Sequence, residues 1–119
     1  LSAVTAACLM VRKALYEAVG GMNEEIAVAF NDVDFCLRLQ AAGYPAVYTP
    51  YAEFVHHESA SRGDDLSAEN RQRFVAEEAM MHAKWGTPMQ ADPYYSRNLS
   101  MLYPDCRPRT PQEMGLPPV

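Results

Sequence analysis

Apolar positions along the chain fall into short blocks punctuated by glycine, proline and acidic turns. Residues 4–11 (VTAACLMV) form a continuous apolar, β-compatible run and predict a buried strand. Residues 13–19 predict a short helix stopped by Gly20-Gly21. Residues 22–30 read as a loop holding Glu24 and Glu25. The clearest helix covers residues 31–42: Asn31 is a good cap, Asp32 and Asp34 sit in the first turn, and Gly43 ends it. Residues 45–49 (PAVYT) predict a short strand and residues 53–57 (EFVHH) a second extended run. A polar loop with Gly63 follows over residues 58–66. Ser67 then caps a helix running to about Trp85, with Phe74, Met81 and Trp85 on one face.

The character changes after Gly86. Seven of the nine prolines lie in the last stretch of the chain, which predicts an extended or irregular tail wrapping over a surface. The expected division is therefore residues 1–86 as one α/β unit and residues 87–119 as a Pro-rich tail. No internal repeat is visible.

The 119 residues suit one small domain or a piece of a larger one, and 49% apolar composition gives material for a core. Mean hydropathy is −0.25, and no apolar run approaches the roughly 20 residues a membrane span needs. The first ten residues lack the basic lead of a signal peptide. The chain opens without Met on a strand-like run, which reads as a fragment boundary. A net charge of −5 without basic clusters argues against nucleic acid as the partner. Cys8, Cys36 and Cys106 are an odd, widely spaced set with no CxxC pair; Cys8 and Cys36, in apolar runs, are expected as buried thiols, and a reducing, cytoplasmic setting is expected, either free or peripheral at the inner membrane face.

Two places carry candidate chemistry. On the helix over residues 31–42, Phe30, Val33, Cys36, Leu37 and Ala41 are expected to share one apolar arc. Asp34 and Arg38 are then expected on the opposite side as an exposed i,i+4 pair worth a few tenths of a kcal/mol, about 0.3–0.5. Asp32 falls near the edge of the arc. It is either an acid serving only the helix dipole or a carboxylate projecting into a cleft. The second place is residues 56–63, His-His-Glu-Ser-Ala-Ser-Arg-Gly. It reads either as a surface loop or as a metal or anion site, in which imidazole binds a divalent ion and Arg62, with the serines, grips phosphate oxygens. Only one of the adjacent histidines can point inward from a strand, and no second ligand stands at a zinc-site spacing.

The ordered series of apolar strand, short helix, Gly-Gly, acidic loop, Asn-Asp-Val-Asp-Phe-Cys-Leu-Arg-Leu, Ala-Gly-Tyr, Val-Tyr-Thr-Pro and Val-His-His-Glu-Ser-x-Ser-Arg-Gly resembles the second half of family-2 glycosyltransferases. It covers roughly residues 3–63. Trp85-Gly86, Asp92-Pro93-Tyr94-Tyr95 and Asn98-Leu99-Ser100 resemble the family's C-terminal extension. The resemblance implies part of a GT-A-like (nucleotide-diphospho-sugar transferase) sheet with flanking helices. It implies an inverting transfer of a sugar from a nucleotide-sugar donor to an acceptor hydroxyl, in cell-surface polysaccharide synthesis. The family's Glu-Asp pair stands here as Asn31-Asp32, so the general base falls on Asp32. A divalent metal, Mn²⁺ or Mg²⁺, is implied, with His56 as ligand and His57 as the alternative. Ser61 and Arg62 are implied at the donor diphosphate, and Gly20, Gly21 and Met22 on the acceptor side.

The family's Asp-x-Asp metal motif and its nucleotide-binding strands belong to its front half, which the resemblance does not reach, and there is no Gly-rich phosphate loop. The isolated chain is therefore expected to be inactive. Its expected partners are the missing N-terminal half of the same protein, the nucleotide-sugar donor, the glycan acceptor and a second copy in a homo-oligomer. The rival readings are a non-catalytic binding or assembly module retaining the scaffold, and a small His-based metal protein.

Overall fold

In the computed structural model, the structure describes residues 1–55, 57, 68–90, 92–103 and 105–117. Among them the elements are one 3-10 turn, Ala6–Cys8, and three helices: α1 (Lys13–Ala18), α2 (Asn31–Ala41) and α3 (Ala68–Gln90). No strand occurs among the described residues, where the one isolated β-bridge pairs Leu99 with Pro108. This corrects the α/β expectation: the GT-A-like sheet is not seen. Residues 4–11 and 45–49, expected as strands, are a 3-10 turn with flanking coil and an unpaired segment.

The physical reason is backbone hydrogen bonding. A helix closes its own ladder, whereas a strand needs a neighbour about 4.8 Å away. Parts of the expected strands keep extended backbone, as at Thr5 (φ −64°, ψ 139°) and Leu9 (φ −126°, ψ 130°). Yet residues 4–11 and 45–55 line an open, largely apolar cleft of about 1260 Å³ instead of pairing. Val47, Phe54 and Val55 stay more than two-thirds exposed.

The helices follow the pattern more closely. α1 ends at Gly20 and Gly21, both at positive φ (82° and 68°). A Cβ on Gly21 would stand 3.0 Å from the Tyr16 ring, so that position takes no larger residue without displacing Tyr16. α2 ends in a Schellman arrangement, with Tyr44 N–H donating to Leu39 C=O (2.9 Å) around Gly43 (φ 89°). Its start departs from expectation. Asn31 is the first helical residue and Phe30 is the cap, held left-handed at φ 63°. A phenylalanine there is strained; packing against Phe74 (ring centroids 5.1 Å) and the core fixes it.

α2 is buried on nearly every side, through Asp34, Phe35, Cys36, Leu37 and Leu39. Ile26, Leu37 and Met81 form the centre of the core, with Phe30, Val33 and Trp85 packed around them. Met81 and Trp85 therefore join α3 to α2 as the periodicity predicts. α3 leaves helical geometry at Gly86 (φ 19°, ψ −91°), a kink inside its span. The expected Ser67 cap lies outside the described residues. Beyond α3 the chain is irregular but internally tied. Ser100 is buried and its hydroxyl donates to Glu113, while Glu113 and Thr110 exchange hydrogen bonds as in a capping box.

Candidate functional site

The site is built on the first turn of α2. Asp32 is half-buried at the second helical position. Its Oδ2 accepts the Ala6 N–H at 3.0 Å and its Oδ1 accepts the Val33 N–H at 2.9 Å. The first contact ties α2 to the 3-10 turn 26 residues upstream. The second satisfies an amide with no partner inside the helix. Each oxygen keeps a lone pair, because an ionised carboxylate has about four acceptor sites.

Asp34 does something different, and here the expected exposed pair is corrected. Its side chain is fully buried. Oδ2 accepts Arg38 Nε at 2.8 Å, and Oδ1 accepts Trp85 Nε1 at 2.7 Å and Lys84 Nζ at 2.8 Å. Burial pushes this carboxyl's pKa up, but the hydrogen bonds from Lys84, Trp85 and Arg38 and the charge of Arg38 outweigh it. The net result is a pKa below the ordinary carboxylate value. Arg38 also donates through Nη1 to the Val19 carbonyl at 2.5 Å and lies 5.5 Å from the Phe35 ring centroid. One buried acid therefore joins α2 to α3 and, through Arg38, to the end of α1.

A second buried acid works from the other side. Glu77 on α3 accepts the Ala29 N–H at 2.7 Å and the Val28 N–H at 3.3 Å. These amides lie just ahead of the α2 cap, so Glu77 fixes the loop that feeds Asp32 into place. Neither Asp34 nor Glu77 was assigned this part from the sequence, but a signal for each exists. At 100° per residue Asp34 lies only about 40° from Phe30, inside the apolar arc and not across from it. Glu77 falls between Phe74 and Met81 on the apolar face of α3. An acid on an apolar face calls for a buried partner.

The other expected site residues are only partly brought together. Gly20 and Gly21 form the turn after α1, and the Met22 N–H donates to the Tyr16 hydroxyl at 3.2 Å. This turn is held against the middle of α2 by Tyr16–Phe35 ring contact (5.4 Å) and by Arg38. His57 is exposed and makes no hydrogen bond or ion pair with Asp32 among the described residues. His56, Ser61 and Arg62 lie outside the described residues. Among the described residues no group of three His, Cys, Asp or Glu side chains is placed to hold a metal ion. No helix among them is long and apolar enough to cross a membrane.

No protein-family model matches the chain, and no solved structure matches it. Curated relatives do, three of them as follows. The chain is 52% identical over 101 residues to an uncharacterized protein, y4gI, of Sinorhizobium fredii, covering 84% of this chain and 11% of that protein. It is 36% identical over 115 residues to the O-antigen biosynthesis protein RfbC of Myxococcus xanthus, covering 94% of this chain and 8% of the relative. It is 32% identical over 91 residues to the N-acetylglucosaminyl-diphospho-decaprenol L-rhamnosyltransferase of Mycobacterium tuberculosis, covering 73% of this chain and 30% of the enzyme. The chain thus spans less than a third of the length of each of these relatives, and over that span it is related to proteins named for glycosyl transfer and for polysaccharide synthesis.

Proposed function

We propose that this chain carries the acceptor-activating segment of an inverting, family-2 glycosyltransferase that builds a cell-surface polysaccharide, with Asp32 as its general base. The observation that carries the reading is the pairing of placement and relationship. Asp32 is half-buried and anchored by two backbone amides; the match to a named O-antigen biosynthesis protein spans 94% of the chain, and a named rhamnosyltransferase is 32% identical over 91 residues.

The chemistry follows from the lone pairs left on Asp32. One carboxylate oxygen accepts a hydrogen bond from the acceptor hydroxyl and takes its proton as the hydroxyl oxygen attacks the anomeric carbon of a nucleotide-sugar. The new C–O bond forms from the face opposite the diphosphate while the bond to the diphosphate breaks, which inverts the anomeric centre. Such a base contributes about 10²–10⁴-fold in rate. The two backbone amides hold the carboxylate in one orientation, so little reorganisation is left for the reaction itself. Asp34 and Glu77 act through α2 and its loop and do not touch substrate.

The test is the product. The full-length reading frame that carries this sequence is incubated with a nucleotide-sugar panel and a lipid-linked glycan acceptor, and the new linkage is read by NMR. A product of inverted configuration with release of nucleoside diphosphate is expected. A product of retained configuration would sink the inverting base, and no transfer from any donor in the panel would favour a binding or assembly module.

A further inference from the structure

A second cavity, of about 500 Å³, opens on the Val33 side of α2. Its wall is made by Ser2 and Val33 together with Asp92, Tyr94, Tyr95 and Tyr103 of the segment after α3. The volume falls within the usual range for small-molecule sites, which combine aromatic walls with a few placed polar groups. Asp92 is such a group. Its Oδ1 accepts the Ser2 hydroxyl at 2.6 Å and the Tyr94 N–H at 2.8 Å, which fixes the carboxylate. Its Oδ2 takes no hydrogen bond among the described residues. Tyr95 is fixed as well, by its hydroxyl donating to the Ser100 carbonyl at 2.9 Å. Tyr94 and Tyr103 leave about half their surface open.

We propose that this pocket binds one neutral pyranose ring of the glycan acceptor, a proposal that rests on the transferase reading above. A pyranose is amphipathic: its C–H faces pack on tyrosine rings and its hydroxyls need acceptors, which the open oxygen of Asp92 provides. No Lys, Arg or His side chain lines the pocket among the described residues. The Arg107 guanidinium, which stacks on the Tyr103 ring, is paired with Asp105, so the fixed carboxylate of Asp92 is the polar group the wall offers, which disfavours a nucleotide diphosphate and fits an uncharged ring. Val33 ties the location to the candidate base, because it lines this pocket and directly follows Asp32.

The experiment is saturation-transfer difference NMR on the full-length protein with N-acetylglucosamine, methyl α-L-rhamnopyranoside and methyl β-D-glucopyranoside, and with choline as a cationic control. At least one pyranoside is expected to bind, and both Asp92→Asn and Tyr94→Ala are expected to weaken it about tenfold or more, the value of one good hydrogen bond or ring contact. Tyr94→Phe, which keeps the ring, is expected to restore binding. Tyr94 is exposed, so its removal is compatible with a folded chain, and circular dichroism checks this for each variant. Absence of pyranoside binding, binding equal in wild type, Asp92→Asn and Tyr94→Ala, or choline binding that these two substitutions abolish while no sugar binds would each overturn the proposal. Binding is read without transfer, so the outcome is independent of which acid serves as base.

Discussion

The α2–α3 contact and the cleft between residues 4–11 and 45–55 are both rich in apolar side chains, yet only the first is closed. At the α2–α3 contact Met81 is fully buried and Leu37 nearly so, and two buried acids reach across it, Asp34 to Trp85 on α3 and Glu77 to the loop ahead of α2. Along the cleft, Met10 is fully exposed and Val47 and Val55 nearly so. The difference is one of hydrogen-bond supply rather than hydrophobicity. Helices arrive with their backbone groups satisfied and need only side-chain contacts to pack. Extended segments need a partner edge, and among the described residues there is none. Asp32 stands at the join of the two: α2 carries it on the closed side, and the Ala6 amide from the open side holds one of its oxygens.

The largest effect should come from breaking the closed region at Asp34. Asp34→Ala strands Lys84, Arg38 and the Trp85 N–H around a hole, and removing one partner of a buried ion pair costs about 3–5 kcal/mol. Because Lys84 is partly exposed, the lower end, about 3 kcal/mol, is expected in urea denaturation. A loss under about 1 kcal/mol would reduce the hub to a surface pair. Met81→Ala removes a fully buried side chain from the same contact and should cost about 2–4 kcal/mol by the same measurement.

Acid should act on the same hub. The native pKa of Asp34 is lowered, so the unfolded chain binds the proton more readily. The stability this supplies is fully present above the unfolded aspartate value, about 3.9, and is lost as pH falls through the lower native value. Melting temperature should therefore hold from neutral pH to about 5 and drop below about 4. In Asp34→Asn that acid limb should be shallower; an unchanged limb would assign it to other carboxylates.

Milder changes separate the regions further. Glu77→Gln keeps one acceptor for the Val28 and Ala29 amides and should cost about 1–2 kcal/mol in urea denaturation. Val55→Lys in the cleft should change stability by no more than about 0.5 kcal/mol, since the side chain is already in solvent. A cost of 2 kcal/mol or more at Val55 would mean that the cleft is a closed core and that the contrast drawn between the two regions is false.

What could be read from the sequence divides along the same line. α1, α2 and α3 were legible because glycine stops and a 3.6-residue apolar period are local signals, whereas the cap of α2 is Phe30 and not the expected Asn31. The strands over residues 4–11 and 45–49 were misread because β-branched, apolar composition reports a preference for a pleated surface, not the presence of a neighbour. Asp32 was legible as a first-turn acid, but its anchor, the Ala6 amide, is long-range and left no trace in spacing. Asp34 was placed on the wrong face, although its angle to Phe30 already put it among buried residues. Pairing it with Arg38 alone missed Lys84 and Trp85, fifty residues further on.

The central claim is that two acids on one turn of α2 divide the labour, Asp34 holding the helix and Asp32 acting from it. It is tested most directly by transfer rates of the full-length protein carrying Asp32→Asn or Asp34→Asn, each normalised to the folded fraction found by urea denaturation. Asp32→Asn should leave stability within about 1 kcal/mol and lower the rate by about 10²–10⁴-fold, whereas Asp34→Asn should lose stability while its folded fraction retains most of the rate. A near wild-type rate in Asp32→Asn, with activity abolished in fully folded Asp34→Asn, would contradict the account.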